Sequence, residues 1–486
     1  MVILPPIWGG AAGSQPVSRG PNPTHDVIYY IADSPIKSKD HCRVTATCDT
    51  IYPSRRSEGQ SKMTSTELYY EPWDPACRVG LFDTYQRLIH EAPVYRAPSG
   101  TWIVSSYEGV EYIFNNHDLF SNRPNQDESI GFPPKVDFDN EESVAMMTHL
   151  AKLAETLPLD LGDLMVARVI VGADPPNHTR QRKIVNRGLT ARRVGMFKDR
   201  IEEIVAECLH GIEGRDRYEL VSELAIPVPV GVIADLLSVP HDRYADVRRW
   251  SDMVANLPQS EGRGSPETTF KLFGMLKELS EFFVPLIEDR RENPRDDMIS
   301  DLVRAVDVDT MTVTETVLFI LVMMSAGNET TTNLIGNTVV ELLRNRDQLD
   351  LLLSRPDLVP SALEEGARAQ APFQFLHREA LQDVDVCGTT IPKDSIIAIL
   401  VGAANRDPSR FEDPDKFDIT RTTPHLGFGK GIHFCLGAPL ARLEAKSALT
   451  ALLPHLERFT LDPSADLELG DSLLIRGYKQ IPLVAL

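Results

Sequence analysis

Apolar residues recur at helical spacing along most of this chain. The period dominates from Pro176 to Leu353 and returns in Leu81–Glu91, Tyr107–Asn115 and Ala438–Leu449. Thr101–Ser106 reads as a strand leading into the helix that starts at Tyr107. Further short strand patterns, Val384–Cys387, Ile396–Leu400 and Leu473–Ile475, gather late in the chain. Many helices with a few short strands predict a mainly α protein with small β-sheets, an α+β enzyme.

Two segments break the pattern. Residues 1–62 are rich in Pro, Gly, Ser and Thr and carry no sustained period. They read as a disordered N-terminal extension, or as sequence ahead of a start at Met63, and as dispensable for folding. Residues 63–486 are expected to form a single domain. Residues 121–161 are mixed and partly acidic, which fits either a gate over a substrate site or an inserted loop.

Thr312 to Leu343 predicts one long helix, opened by a capping box of Thr312 and Glu315. Inside it lies Ala326-Gly327-Asn328-Glu329-Thr330-Thr331. A glycine in a helix interior costs about 1 kcal/mol relative to alanine, so something is expected to approach the backbone at Gly327. Glu329 and Thr330 set a carboxylate beside a hydroxyl in an apolar helix, a pair able to relay protons from solvent to a reacting oxygen. A plainer reading has Thr330–Thr332 bonding back to helix carbonyls and Glu329 facing solvent.

Composition narrows the function classes. The chain is 42% hydrophobic and 25% charged, with a formal net charge of -20. That acidic balance argues against nucleic acid and anionic membrane surfaces as partners. Six cysteines are scattered without a CxxC pair, so neither a disulfide scaffold nor a zinc ribbon is expected, and a reducing cytoplasm fits. The most apolar stretch, Val317–Met324, is far too short to span a bilayer.

The strongest chemical signal is Phe428-Gly429-Lys430-Gly431-Ile432-His433-Phe434-Cys435-Leu436-Gly437. Two glycines permit positive φ and a close approach of backbone to a flat ligand. Cys435 then stands just before a predicted helix, where backbone N–H groups and the helix dipole favour a thiolate. A zinc site on His433 and Cys435 lacks further ligands at usual spacing.

This loop resembles the heme-binding signature of the cytochrome P450 superfamily, in its soluble bacterial form, and the resemblance covers residues 65–486. It implies the P450 fold, heme b (iron protoporphyrin IX) with Cys435 as its metal ligand, and activation of O2. Phe428, Gly429, His433 and Gly437 would lie against the heme. Ala326 and Gly327 would leave room for O2, and Glu329 and Thr330 would deliver protons. His178, Arg182, Arg378 and His433 match positions that hold the heme propionates. Glu365 and Arg368 are a weak signal alone, an i,i+3 pair of the kind found on many surfaces. The resemblance implies that they are buried and lock onto an Arg nearer the loop, for which Arg421 is the candidate. Ala369 replaces the bulkier residue usual in the family after the position of Arg368. The stretches Asn405-Arg406-Asp407-Pro408 and Phe411-Glu412-Asp413-Pro414 fit a structural part of the family pattern.

Phe373, Phe375 and Leu376 are expected, by the same resemblance, to face a substrate pocket, with Met323 and Met324 as further candidates. Ordinary core packing is the alternative for each. Such a lining suits a small apolar substrate: a terpenoid, steroid, fatty acid or aromatic. No flavin or nicotinamide fingerprint follows a strand, so electrons are expected from a separate protein, which the resemblance implies is a ferredoxin-type donor with its NAD(P)H-dependent reductase. Arg180 to Arg200 is strongly basic and would dock that donor, or else is a solvated helix face. Two rivals to a monooxygenase are an H2O2-dependent peroxygenase on the same fold and a non-catalytic heme sensor.

Overall fold

The computed structural model describes residues 68–124, 155–255, 266–307 and 311–486, with 148 and 152 between them. The expected extension over 1–62 and much of 121–161 lie outside the described residues. Ser65–Leu486 forms one compact unit.

The helices are α1 (Leu81–Glu91), α2 (Tyr107–Asn115), α3 (Leu161–Val166), α4 (Asn177–Gly188), α5 (Ala191–Met196), α6 (Lys198–Ile212), α7 (Pro227–Leu236) and α8 (Tyr244–Ala255). They continue with α9 (Pro266–Glu292), α10 (Met298–Asp307), α11 (Val313–Arg344), α12 (Arg346–Ser354), α13 (Val359–Ala369), α14 (Val401–Ala404) and α15 (Ala438–Leu456). The strands are β1 (Val94–Arg96), β2 (Trp102–Val104), β3 (Phe120–Ser121), β4 (Arg217–Glu219), β5 (Leu376–Ala380), β6 (Val384–Val386), β7 (Thr389–Ile391), β8 (Ile396–Ile399), β9 (Phe459–Leu461) and β10 (Pro482–Ala485). Five of them form a sheet in the order β1-β2-β8-β5-β3, three form β4-β10-β9, and β6 and β7 form a hairpin. The mainly α, small-sheet architecture is the one the apolar pattern predicts.

Helix α11 is the axis of the molecule. Its N-terminus is closed by the expected capping box: Thr312 Oγ1 accepts from Glu315 N at 3.1 Å, and Glu315 Oε2 accepts from Thr312 N at 3.0 Å. Arg180 of α4 then binds the same Glu315 carboxylate through both terminal nitrogens. Most of α11 is buried on every side, which explains why its pattern is apolar without a clean polar stripe. Helices α7, α8, α13 and α15 pack around it. At the α11–α13 crossing a side chain at Gly366 would meet Thr338 Oγ1 at 2.0 Å, so glycine sets how near the helices come.

Several element boundaries differ from the sequence pattern. Leu473–Ile475 forms no strand, only a single bridge from Ile475 to Phe373. The strand expected through Cys387 stops at Val386, because Cys387 turns into the left-handed region at φ 49° and Gly388 follows at φ 78°. Helix α15 runs past Leu449 because Leu452, Leu453 and Leu456 still face the core.

Glu365 and Arg368 lie on α13 and are both buried. Arg368 Nε and a terminal nitrogen reach the two Glu365 oxygens at 2.7 and 2.8 Å, and the rest of the guanidinium donates to the carbonyls of Asn405, Pro414 and Lys416. Arg421 comes within 3.4 Å of Glu365, as an ion pair without hydrogen-bond alignment. Arg368 thus ties α13 to the chain that leads into the Cys435 loop. Removing the carboxylate strands a buried cation, a loss of about 3–5 kcal/mol when one partner is deleted. Glu365→Ala is therefore expected to lower the denaturation midpoint sharply. A wild-type midpoint would show that the pair is not structural.

Candidate active site

The approach to Cys435 is built from backbone. Asn405 Oδ1 accepts from Leu426 N at 2.7 Å, and Asp407 Oδ2 accepts from Tyr107 N at 2.8 Å, holding the start of α2. The loop then lies against the end of α2. Gly429 and Gly431 both have φ 69°, and a side chain at Gly431 would come within 2.2 Å of Phe114 O. These are the two positions where positive φ is required. Cys435 N donates to Phe428 O at 2.8 Å and closes the turn. Gly437 differs: its φ is -81° and a Cβ there would meet nothing within 4 Å. Its contribution is its N–H, which with that of Ala438 faces the Cys435 sulfur.

Burial pushes the Cys435 thiol up, while those two N–H groups and the nearby cations Arg182 and Arg442 pull it down. Sequence alone points only to the lowering influences. Desolvation outweighs them in the chain by itself. Among the described residues no three His, Cys, Asp or Glu side chains cluster as a metal site.

Helix α11 offers one incompletely buried stripe. Met323, Ala326, Gly327 and Thr330 follow i, i+3, i+4, i+7, and Ala326 is exposed. Among the described residues, the nearest atom that a Cβ at Gly327 would meet is Ile233 Cδ1, at an ordinary 3.7 Å, so protein packing does not require glycine there. Thr330 Oγ1 donates to Ala326 O at 2.7 Å, the back-bond of the plainer reading. Glu329, however, does not face solvent. Its Oε2 is buried without a hydrogen-bond partner, and burial, then the charge of Asp252, pushes its carboxyl up to about 7. Asn328 donates to Ser251 Oγ at 2.6 Å and fixes α8 beside this turn.

A cationic cluster adjoins the loop. Arg378 is 3% exposed, donates to His377 O at 2.7 Å and has no ion pair among the described residues. Burial lowers its pKa to about 10. The His178 and His433 rings lie 4.0 Å apart, each with a buried, unpartnered Nε2. Burial, then Arg182, holds His178 at about 4; burial, then Arg378, holds His433 at about 2. Two residues the sequence did not single out assemble the cluster. Asp174 accepts from Ser121 Oγ at 2.6 Å and Asn122 N at 2.8 Å, one turn before His178. Asn122 Nδ2 lies 3.4 Å from His433 Nδ1. Neither position stands out by spacing or composition. Arg182 behaves differently from the other three, donating to Ile432 O at 2.8 Å and Phe434 O at 2.7 Å. It braces the loop backbone, with its two terminal nitrogens already engaged.

The apolar candidates divide. Phe375 is 1% exposed and packs edge-on against Trp73 at 5.0 Å, immediately before β5. Carried back one residue, the alternation of β5 puts it on the face opposite Leu376 and Arg378, within a buried apolar cluster. Met324 is likewise fully buried in the core. Phe373 and Leu376 are partly buried, and Leu376 shares its face with Arg378.

The family model Cytochrome P450 matches residues 256–473. Cytochrome P450 107B1 of Saccharopolyspora erythraea is 40% identical over 425 residues, 85% of this chain and 96% of that protein. The chain belongs to the cytochrome P450 family. The 6-deoxyerythronolide B hydroxylase of the same organism is 34% identical over 83% of this chain and 96% of its own length. The crystal structure of CYP109E1 from Bacillus megaterium in complex with corticosterone aligns with TM-score 0.70 and 30% identity, over 84% of this chain and 99% of that one. This P450 is a monooxygenase that binds heme b. Its residues suit that group. A buried Arg378 without a carboxylate partner among the described residues and two orphaned imidazole nitrogens offer donors for propionates. Among the described residues no helix is long and apolar enough to cross a membrane.

Proposed function

We propose that this P450 hydroxylates a bulky apolar molecule, with Cys435 as iron ligand and Glu329 and Thr330 as the proton relay. The observation that carries the reading is Glu329: a buried carboxyl with an unpartnered oxygen, one residue from a hydroxyl on the open stripe of α11. Heme b, when bound, supplies O2 binding and the oxidising chemistry. Arg378, His178 and His433 would hold its propionates, and Arg182 keeps the loop in place. Glu329, held near neutrality, can give and retake a proton at working pH. Thr330 spends its own proton on Ala326 O and presents its oxygen as an acceptor until the hydroxyl turns.

Met323, Ala326, Gly327 and Leu376 give an apolar lining. The relatives named for 6-deoxyerythronolide B and for a corticosterone complex support a large non-aromatic ring compound over a small aromatic one. Titrating the ferric protein with 6-deoxyerythronolide B, corticosterone and a long-chain fatty acid tests this. A low-to-high-spin shift and oxygenated product with either of the first two supports the reading. Binding of the fatty acid alone would replace it.

Electrons would come from an acidic ferredoxin with its NAD(P)H-dependent reductase, docking beside α4 and α5. Lys183, Arg187 and Arg192 are exposed and make no ion pair among the described residues. Arg193 is not available, because Asp296 and Asp301 pair with it; Arg180 and Arg200 are paired as well. The basic stretch therefore reduces to a smaller patch. Reversing Lys183, Arg187 and Arg192 together is expected to slow reduction about tenfold or more at low salt, and less as ionic strength rises. Substrate-induced spectral shifts should remain. Reduction rates indifferent to both changes would leave the patch a solvated face.

A further inference from the structure

Beyond Cys435 itself, three side chains that no part of the oxygen chemistry uses converge behind its loop. Glu364 neighbours the buried Glu365 on α13, but its carboxylate points the other way. It takes Arg442 Nε at 2.7 Å and a terminal nitrogen at 2.8 Å, from α15. His425 Nε2 lies 3.1 Å from the same carboxylate, and His425 Nδ1 accepts Gly427 N–H at 2.9 Å. That acceptor role places the ring proton on Nε2, donating to Glu364. The Arg442 guanidinium in turn lies over the Phe428 ring, 4.3 Å from its centroid, and Phe428 O is the acceptor for Cys435 N–H. His425, Glu364, Arg442 and Phe428 thus form one connected path from the loop's entrance to the residue that holds the Cys435 backbone.

We infer that Glu364 and Arg442 are positioning residues whose paired charges set the electron donation of the Cys435 thiolate, and through it the reduction potential of the bound iron. The inference rests on Cys435 being the iron ligand. The physics is that of outer-shell tuning: a cation near a ligand sulfur draws its electron density and favours the reduced metal, and an anion does the reverse. Arg442 is among the charges that favour the thiolate. Glu364 both fixes Arg442 over Phe428 and offsets its charge. The side chains are 39% and 37% exposed, so salt will weaken the effect. A scaffold pair without electrical influence would behave differently. Loss of either member would then loosen the loop in the same way.

The sign of the shift separates these cases. With heme-loaded protein at low ionic strength, Glu364→Gln is expected to move the midpoint potential positive, and Arg442→Gln to move it negative. The double variant should lie between them. All three should keep the red-shifted Soret band of the ferrous–CO thiolate complex. Glu364→Asp and Arg442→Lys keep both charges and are expected to stay at the wild-type potential. Shifts of one sign in both Gln variants, no shift in either, or equal shifts in the charge-conserving variants would overturn the inference. Absence of the thiolate band from the wild type would instead remove the Cys435 assignment on which it rests.

Discussion

Cys435→Ala is expected to abolish monooxygenation and to remove the thiolate signature of the ferrous–CO complex. The sulfur sits where the loop turns into α15, faced by the N–H groups of Gly437 and Ala438, with Arg182 and Arg442 nearby. No other cysteine lies in this loop. Cys77 packs near α1, Cys208 lies on α6, and Cys387 is at the β6–β7 turn. If Arg378, His178 and His433 hold the propionates as proposed, some heme is expected to be retained. The measurement is therefore the position of the Soret band in whatever heme is bound, together with product formation. A variant with the far red-shifted band intact would show that another residue is the ligand.

Much of this site was legible because it is local in sequence. The Cys435 loop, the capping box on α11 and the Glu329-Thr330 step each fall within a few residues, so spacing and residue type carry them. The helices at Leu81–Glu91 and Tyr107–Asn115 have the expected limits for the same reason, since Ser106 caps the second within its own turn. What was not legible depends on distant partners. Strand β4 has three residues and exists only because Pro482–Ala485 returns to pair with it. Asp174 and Asn122 become informative only once β3 and α4 meet. The packing of Phe375 against Trp73 is not legible either, because sequence does not say which side of the chain at β5 turns toward Trp73. Arg193 looked like a docking charge because Asp296 and Asp301 are far along the chain. Charge patterns overstate a basic face whenever the neutralising carboxylates come from another helix.

Thr330→Ala and Glu329→Gln should both leave heme and substrate binding intact while breaking the link between electron consumption and product. In Thr330→Ala the acceptor oxygen beside Ala326 is gone, so reducing equivalents are expected to leave mainly as hydrogen peroxide, with NADH oxidation continuing. In Glu329→Gln the titrating group itself is gone, and product formation should fall by about 100-fold, the scale of a lost general acid. The pH dependence gives the sharper test. With its carboxyl pushed up to about 7 by burial and by Asp252, wild-type Glu329 is largely protonated at pH 6 and largely ionised at pH 8. Product formation should therefore decline as pH rises through about 7. The Gln variant should be slow and flat across that range. Stability of the wild type should fall in the same direction. A carboxyl whose folded pKa exceeds its ordinary 4.5 binds more protons folded than unfolded, so the wild type gains stability as pH falls from about 7 toward 4.5. Glu329→Gln avoids the buried charge and is expected to be more stable than wild type at pH 8, by on the order of 2–3 kcal/mol, with the advantage fading toward pH 4.5. A variant that is slower yet more stable, in the same pH window, is the signature of a group kept buried for proton transfer at some expense to the fold. Unchanged coupling of NADH to product in either variant would show that these two residues are not the relay.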